Sequence, residues 1–397
     1  MSIVLETPAT DADPFADEIL EHPYRLHDEL RALGPAVWLS RYRVFAIARN
    51  EDVQRALRDH QVFSSARGVG LVDYANETPW RAPSLLLEAD PPEHAVARKV
   101  LSGVLSPATV KQMQVAFAAK AARLVDELLE KRHFDGVSDV AARFPVDALG
   151  DEVGLPVEGR EHLVPYGQMV FNGFGPRNRH FERTVADASA AQEWVAAHTA
   201  LAGLEPHGLG AQIHAAGNAV GYTSEQCSRL VRAFLSAGID TTVNAIGSAL
   251  WCLAERPDDW DALRAEPALA RSVFEETVRF ESPVQTFFRT TTAPAVVGDL
   301  TIPAGTKVLL FLAAANRDPR QFPDPDRFDI RRSTGGHVGF GHGVHACAGR
   351  VLARMEGETL LAEMARRIPN LELDGTPGRE LNNTTRGFHR LPLKLSR

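Results

Sequence analysis

Cysteine is scarce in this sequence of 397 residues, which contains only Cys227, Cys252 and Cys347. Because their number is odd and they lie far apart, a disulfide framework is not expected, whereas a reducing cytoplasm is. Long hydrophobic runs are also missing: the longest strongly apolar stretch, VLLFLAAA from Val308, is too short to span a bilayer. The N-terminal MSIVLETPATDADPF has neither the basic segment nor the apolar core of a signal peptide. We therefore expect a cytoplasmic protein without a membrane segment.

The sequence has no excess of basic charge, since its formal net charge is -8 at pH 7. Nucleic-acid binding needs a basic face and is therefore not expected. The composition, 44% hydrophobic and 24% charged, is ordinary for a soluble globular protein with a large core. Neither repeats nor low-complexity linkers mark a boundary, so residues 1–397 are expected to form a single domain.

Apolar spacing predicts a mainly helical protein. Residues 107–132 carry apolar side chains every three or four positions, and a longer helix is predicted from Thr223 to about Glu255. Thr223 and Gln226 have the spacing of a capping box at its start. Short strands are predicted at residues 36–40, 43–48, 295–303 and 307–312. The expected fold class is mainly α (α+β), a large helical body with a small β-rich region built from both ends of the chain.

Polar residues interrupt the long helix at AGIDTT, residues 237–242. A helix that is apolar on most sides runs through a core, where Asp240 and Thr241 are costly unless paired or hydrated. In one interpretation, Thr241 bonds to the preceding turn and Asp240 reaches solvent. In the other, they form an acid–alcohol pair beside a ligand cavity, and Gly238 thins the helix so that the ligand can approach. The stripe that would face this cavity consists of Ala233, Ala237, Thr241 and Asn244.

Basic residues occur where a further helix is predicted to begin. In EADPPEHAVARK, Asp90 is the predicted N-cap and Glu93 has the capping-box position. His94 and Arg98 then share a helix face at i and i+4, while Arg289 emerges from an apolar, aromatic strand. His94 and Arg98 either form a solvated surface pair or join Arg289 in holding a dianionic ligand.

Cys347 lies in the glycine-rich stretch HVGFGHGVHACAGR, residues 337–350. Gly341 and Gly343 permit the tight loop that a metal-bound thiolate needs, because neighbouring backbone groups must donate to the sulfur. Gly349 lets the next helix lie close to a flat cofactor, and Phe340 shields the sulfur from water. A catalytic role for the thiol would not explain the glycines and the phenylalanine. A structural zinc site would usually need a second cysteine, which the sequence does not offer nearby. The ligands of that rival zinc site would be His337, His342, His345 and Cys347.

FGHGVHACAG resembles the haem-binding signature of the cytochrome P-450 haem-thiolate monooxygenases, Phe-x-x-Gly-x-x-x-Cys-x-Gly. Patterns of the same family are met by AGIDTT, by Glu276-x-x-Arg279 and by Asp-Pro-Pro-x-His-x-x-x-Arg at residues 90–98. All of these motifs follow the family's order between residues 90 and 350. The resemblance implies the cytochrome P-450 fold enclosing haem b, iron protoporphyrin IX, with dioxygen as co-substrate.

The resemblance also implies roles for individual residues. Cys347 is the axial thiolate on the haem iron, whose electron donation favours O–O bond cleavage, and Asp240 with Thr241 relays the protons. The residues that hold the haem are His94, Arg98, Arg289 and His345 at the propionates, with Phe340 and Gly349 near the sulfur. The structural pairing on the proximal side consists of Glu276, Arg279 and Arg327.

Longer runs resemble bacterial haem-thiolate enzymes that oxidise para-substituted benzoates, notably 4-methoxybenzoate: RGVGL, PSLLLEADPP, VFNGFGP, SAGIDTTVN and ESPVQTFFRTTT. This implies O-demethylation or hydroxylation at the para position, in aromatic acid catabolism, with the substrate carboxylate on Arg81, Ser84 and Ser236. Ala233 occupies a position where those relatives have a serine, which removes one hydroxyl from the carboxylate end. The remaining pocket residues would be Leu87, Phe171, Phe174, Ala237, Val284 and Phe287.

Other interpretations stay open at this point. Arg81 and Ser84 are alternatively a surface arginine and a turn serine. Arg81 also faces solvent if the chain oxidises a larger natural product, and a non-catalytic haem-thiolate sensor is a third class. No flavin or nicotinamide fingerprint is present, so the resemblance implies an iron–sulfur ferredoxin with an NADH-dependent ferredoxin reductase. The expected state is a monomer. Ferredoxin would dock on a basic patch formed by Arg98, Lys99, Arg350 and Arg354.

Overall fold

The computed structural model describes residues 7–396. Its α-helices, in chain order, are α1 Asp17–Glu21, α2 Tyr24–Leu33, α3 Asn50–Arg58, α4 Glu93–Val104, α5 Pro107–Lys131, α6 Arg143–Val153, α7 Leu163–Asn172, α8 Arg179–Asp187, α9 Ser189–Thr199, α10 Leu209–Ala219, α11 Ser224–Ala254, α12 Pro257–Ala265, α13 Ala270–Phe280, α14 Leu312–Asn316 and α15 Arg350–Arg367. Its strands are β1 Ala9–Thr10, β2 Val37–Leu39, β3 Val44–Ile47, β4 Phe63–Ser64, β5 His133–Asp135, β6 Thr286–Thr291, β7 Ala295–Val297, β8 Leu300–Ile302, β9 Lys307–Phe311, β10 Asn370–Leu373, β11 Gly378–Leu381, β12 Arg386–Arg390 and β13 Pro392–Ser396. The mainly helical fold class is confirmed.

The long helix predicted from Thr223 is α11, whose 31 residues run through the centre of the fold. Its start is the predicted capping box: Thr223 Oγ1 accepts the Gln226 N–H, and Gln226 Oε1 accepts the Thr223 N–H. α11 packs against α6, α7, α10, α13 and α15. Because helices surround it, most of its side chains are buried, as its nearly all-round apolar pattern predicts.

The predicted short strands combine into small sheets. The largest has the order β1-β2-β3-β9-β6-β4, so strands near the N-terminus pair with strands that follow α13. In the antiparallel pair of β6 and β9, Phe287 is opposite Leu310 and Arg289 is opposite Val308. Phe287 and Arg289 lie two positions apart and therefore on the same face of β6. A second sheet of order β10-β13-β5 joins the C-terminal strands to the segment after α5.

The start of α4 differs from the prediction. Asp90 is not its N-cap, since the helix begins at Glu93 and no side chain caps it. The carboxylate of Asp90 instead accepts hydrogen bonds from the Ser64 hydroxyl and the Ser65 N–H. These partners lie far away in sequence, so tertiary contacts outcompete the local cap.

Across residues 7–396, no helix has both the length and the apolar character needed to cross a membrane.

Candidate active site

Cys347 lies in a tight loop between the strand-rich region and α15. Its N–H donates to the Phe340 carbonyl over 2.8 Å. Gly341 and Gly343 have φ angles of 64° and 67°, in the left-handed region that favours glycine. A Cβ at Gly343 would lie 2.7 Å from the Leu57 carbonyl oxygen, so the loop packs directly on the end of α3. Both glycines are therefore required by the loop itself.

The surroundings of the Cys347 thiol are basic. Burial raises its pKa, while the N–H of Gly349 and the nearby Arg98, Arg350 and Arg354 act in the opposite direction. A Cβ at Gly349 would meet no protein atom within 4 Å. Since the Gly349 φ of -91° suits any residue, no contact within residues 7–396 explains the glycine.

Phe340 lies beside this loop. Its ring centroid is 5.8 Å from that of His337, and the guanidinium carbon of Arg354 is 4.9 Å from the Phe340 ring centroid. The ring packs against the main hydrophobic core. Shielding of the sulfur by Phe340 stays a prediction.

His94 is buried, with 3% of its surface exposed, and its Nε2 has no hydrogen-bond partner within the described residues. Burial is the main cause that lowers the pKa of His94 to about 4, and nearby His345 acts in the same direction. Arg98, one turn further along α4, donates from Nη1 to the Ala346 carbonyl over 2.6 Å. A solvated surface pair of His94 and Arg98 is therefore wrong.

Arg289 is a buried cation that forms no ion pair with a carboxylate within the described residues. Only 3% of it is exposed, and its Nη1 donates to the Phe288 carbonyl over 2.7 Å. Burial lowers its pKa to about 10, although Asp90 acts in the opposite direction. No ion pair involving Arg289 occurs in the part of the chain that the structure covers. An unpaired buried guanidinium is costly and favours an anionic ligand at this place.

His345 joins the same cluster. Its ring centroid is 4.5 Å from that of His94, and its Nε2 lies 3.2 Å from Asp90 Oδ1. By contrast, the Nε2 atom of His337 lies 3.0 Å from Oε2 of Glu275. Within residues 7–396, no three side chains of His, Cys, Asp or Glu come together as a metal site. The rival zinc site is therefore wrong, because His337 and His345 lie beside different carboxylates.

In the middle of α11, Asp240 is buried, with 1% exposed. Burial raises the pKa of Asp240 to about 7, although a hydrogen bond with Thr385 acts in the opposite direction. Asn244 Nδ2 lies 3.4 Å from Asp240 Oδ2. The interpretation in which Asp240 reaches solvent is therefore wrong. Thr241 Oγ1 donates to the Ala237 carbonyl over 2.7 Å, as the back-bonding interpretation predicts.

The exposed stripe of α11 is shorter than the predicted one. Ala237 is exposed and Ala233 and Thr241 are partly exposed, although the helix is otherwise buried. Asn244 does not belong to this stripe, because it is buried and packs against Gly387 of β12. Gly238 does not face a ligand either: a Cβ there would lie 2.9 Å from Leu149 Cδ2, so Gly238 permits close packing against α6.

The predicted pairing of Glu276, Arg279 and Arg327 is present, but a different arginine takes the place of Arg327. Arg279 donates from Nε and Nη2 to both oxygens of Glu276, at 2.7 and 2.8 Å, and both side chains are fully buried. The Arg327 side chain is exposed, so the prediction that it joins the pairing with Glu276 and Arg279 is wrong. Arg327 takes part only through its backbone carbonyl, which accepts a hydrogen bond from Arg279. Arg332 takes that place, since its Nε donates to Glu276 Oε1 over 3.2 Å. Arg332 lies five residues after Arg327, and the chain turns back there so that the Arg332 guanidinium contacts Glu276.

The predicted pocket residues form one aromatic cluster. Phe174 makes edge-to-face contacts with Phe171 and Phe287, with both pairs of ring centroids 5.8 Å apart. Leu87 and Val284 pack against the same cluster. These contacts join α7, the loop before α4 and β6.

Arg81 adjoins this cluster, because its guanidinium carbon is 5.5 Å from the Phe174 ring centroid. The Arg81 side chain is 20% exposed, so it is largely covered but keeps some contact with solvent. Ser84 Oγ accepts the N–H groups of Leu86 and Leu87, as the turn-serine alternative states. Ser236 Oγ donates to the Ala233 carbonyl over 3.4 Å.

Glu88 was missed by sequence reasoning. Its Oε2 lies 3.0 Å from Arg81 Nη2 and accepts the Ser84 N–H over 2.7 Å. The available signal was an acidic residue directly after the apolar run LLL, where burial demands a partner.

Comparison with known proteins agrees with this arrangement. Residues 209–395 match the family model "Cytochrome P450". The chain is 49% identical to cytochrome p450 CYP199A2 of Rhodopseudomonas palustris over 98% of this chain and 95% of that protein. The chain belongs to the cytochrome P450 family. The P450 is also 32% identical to cytochrome P450 107B1 of Saccharopolyspora erythraea, over 88% of both chains. The solved structure of CYP109Q5 from Chondromyces apiculatus shares its fold with a TM-score of 0.81 at 32% identity, over 97% of this chain and 98% of that one.

P450 monooxygenases use haem and dioxygen, and the residues of this P450 fit a haem. Within residues 7–396, the buried Nε2 of His94 has no hydrogen-bond partner and the buried Arg289 guanidinium forms no ion pair. A thiol lies in a glycine-shaped loop, and the space beside Gly349 is not filled by protein. A flat dianion with a metal centre accounts for all three features, because it pairs with the Arg289 cation, gives His94 Nε2 a hydrogen-bond partner, binds the sulfur and fills the open space.

Proposed function

We propose that this P450 carries out oxidative O-demethylation, and related hydroxylation, at the para position of substituted benzoic acids such as 4-methoxybenzoate. The observation that carries the proposal is the Arg81 guanidinium beside the aromatic cluster, 5.5 Å from the ring centroid of Phe174. A cation at the edge of an apolar aromatic pocket suits a ligand with a carboxylate at one end of a ring.

In the proposed complex, Arg81, Ser84 and Ser236 bind the carboxylate through charge-assisted hydrogen bonds. Phe171 and Phe174 hold the ring by edge-to-face contacts. The exposed stripe of α11 around Ala237 and the side chains of Leu87, Val284 and Phe287 complete the pocket. A ring anchored at the carboxylate presents its opposite end to the cofactor, which explains the para selectivity.

The haem b would be held by the Cys347 thiolate, with its propionates on His94, Arg98, Arg289 and His345. When bound, it supplies dioxygen activation, which inserts one oxygen atom into a C–H bond and releases the other as water with two electrons and two protons. A hydroxylated methoxy carbon is a hemiacetal, so it collapses to the phenol and formaldehyde without further help.

Asp240 and Thr241 are proposed to deliver the protons. Asp240 holds or releases a proton near neutral pH, because burial raises its pKa to about 7. Thr241 lies one residue further on the partly exposed stripe of α11, where its hydroxyl bonds to Ala237. Delivery from a buried acid through a hydroxyl avoids opening the pocket to bulk water.

The electrons are proposed to come from an iron–sulfur ferredoxin and an NADH-dependent reductase. Lys99 and Arg350 are exposed, and Arg98, Arg350 and Arg354 all act on the Cys347 thiol electrostatically. An acidic partner docking there would reach the cysteine side of the site. We further propose that the chain works as a single domain, residues 1–397, and as a cytoplasmic monomer.

The proposal is tested by following the ferric spin state while 4-methoxybenzoate or its methyl ester is added. The acid is expected to bind more tightly than the ester in the wild-type protein, and Arg81→Ala is expected to abolish the difference. Equal binding of acid and ester, or full acid preference in Arg81→Ala, overturns the carboxylate site. Formaldehyde and 4-hydroxybenzoate in equal amounts are the expected products.

A further inference from the structure

The Arg81 guanidinium is already paired within the chain. Its Nη2 lies 3.0 Å from Glu88 Oε2, with 20% of the Arg81 side chain and none of the Glu88 side chain exposed. Arg81 also lies over the rings of Trp80 and Phe174, so little water screens this pair. Because a buried cation without a counter-ion is strongly destabilising, Glu88 neutralises Arg81 whenever no other anion is present.

Glu88 also fixes the second predicted carboxylate ligand. Its Oε2 accepts the Ser84 N–H over 2.7 Å, and its Oε1 accepts the Tyr74 hydroxyl. Arg229 of α11 donates to the Pro83 carbonyl in the same loop. One buried carboxylate therefore sets the positions of both the guanidinium and the serine.

We propose that Glu88 is the specificity-determining positioning residue of the carboxylate site: it orients Arg81 and Ser84, and its negative charge limits how tightly the site binds an acid. This inference rests on the proposed function. When a benzoate reaches Arg81, two carboxylates share one guanidinium, and their repulsion is strong where solvent is excluded.

The limit on affinity matters for turnover. O-demethylation changes the para substituent and leaves the carboxylate intact, so substrate and product use the same anchor. A fully unpaired Arg81 would retain 4-hydroxybenzoate as firmly as it binds the substrate. Glu88 therefore lowers the affinity for both substrate and product and so speeds product release.

The test compares wild-type protein with Glu88→Gln, which keeps the shape and a hydrogen-bond acceptor but removes the charge. Dissociation constants are measured from the ferric spectral change for 4-methoxybenzoate, its methyl ester and 4-hydroxybenzoate. We expect both acids to bind about tenfold more tightly, equivalent to about 1.4 kcal/mol, while the ester is unchanged. Inhibition of turnover by 4-hydroxybenzoate should strengthen by the same factor.

The matched control is Glu77→Gln, which removes the same charge from an exposed position of the same loop. Screening by solvent should keep its effect on the acid-to-ester ratio below about twofold. If Glu88→Gln leaves that ratio unchanged or lowers it, while Arg81→Ala still abolishes it, the inference fails and the proposed function survives. If the wild-type protein shows no preference for acids, the proposed function fails as well.

A second variant covers the case in which Glu88→Gln does not fold. Tyr74→Phe removes one donor to Glu88 without changing charge, so the carboxylate is less neutralised and repels an incoming acid more. Acid affinity should fall by about threefold with ester affinity unchanged. An unchanged acid affinity in Tyr74→Phe contradicts the inference.

Discussion

Glu356 of α15 is a buried carboxyl group, with 1% exposed, whose Oε1 has no hydrogen-bond partner within residues 7–396. Burial raises its pKa from 4.5 to about 8, although a hydrogen bond with Thr242 acts in the opposite direction. The group is therefore protonated in the folded protein at neutral pH and ionised in the unfolded chain. Its replacement by glutamine should change how stability depends on pH.

The direction and size of that change follow from proton linkage. Between the two pKa values the folded state holds a proton that the unfolded state has released, so stability falls as pH rises through this window. Each pH unit corresponds to about 1.4 kcal/mol, and the whole window to about 5 kcal/mol. Glutamine resembles the protonated carboxyl and does not ionise. Glu356→Gln should therefore become more stable than wild type with rising pH, by about 3 kcal/mol at pH 7.

The assay is urea unfolding of the haem-loaded protein at several pH values between about 5 and 9. We expect the difference in unfolding free energy between Glu356→Gln and wild type to rise by about 1.4 kcal/mol per pH unit and to level off above about pH 8. Glu358→Gln, a partly exposed position of the same helix, controls for the loss of a carboxylate from α15. A difference that stays constant over this range would refute the burial argument.

Three further predictions concern the site and its support. Glu276→Gln leaves the fully buried Arg279 without its charge partner, so the unfolding free energy in urea should fall by about 3–5 kcal/mol; a loss below about 1 kcal/mol would contradict this. Gly349→Ala adds a methyl group where no protein atom lies within 4 Å. The thermal stability of the haem-free chain should therefore be unchanged while the haem retained per chain falls, and normal haem content would count against the fit. Asp240→Asn removes an acid whose pKa is about 7, so product formed per NADH should drop about tenfold or more with the substrate-induced spin change intact; unchanged coupling would exclude a proton-delivery role.

Local sequence patterns predicted much of the fold and some of the contacts at the candidate site. Apolar spacing and the capping box located α11 nearly to the residue, since both signals act within one helix. The spacing of Glu276 and Arg279 predicted their pairing for the same reason. The glycines around Cys347 predicted a tight loop, because positive φ angles at Gly341 and Gly343 follow from local backbone geometry.

The wrong or missing predictions depend on partners that are distant in sequence. Asp90 has a good capping sequence, but Ser64 and His345 bind its carboxylate instead. Gly238 accommodates Leu149 of α6, a neighbour that no local pattern reveals. Arg332 replaces Arg327 because the meander turns back on itself, which depends on packing rather than on spacing.

Phe287 and Arg289 share one face of β6, a strand paired with β9 along its length. If Phe287 lines the substrate pocket and Arg289 holds the haem, as proposed above, a redesign that enlarges the pocket at Phe287 would disturb the backbone that carries Arg289, and a broader substrate range would come with weaker cofactor retention. Variation at Phe171 and Leu87, which belong to a separate helix and loop, avoids that coupling. Engineering for bulkier aromatic acids should therefore begin on the α7 side of the cavity and leave the sheet untouched.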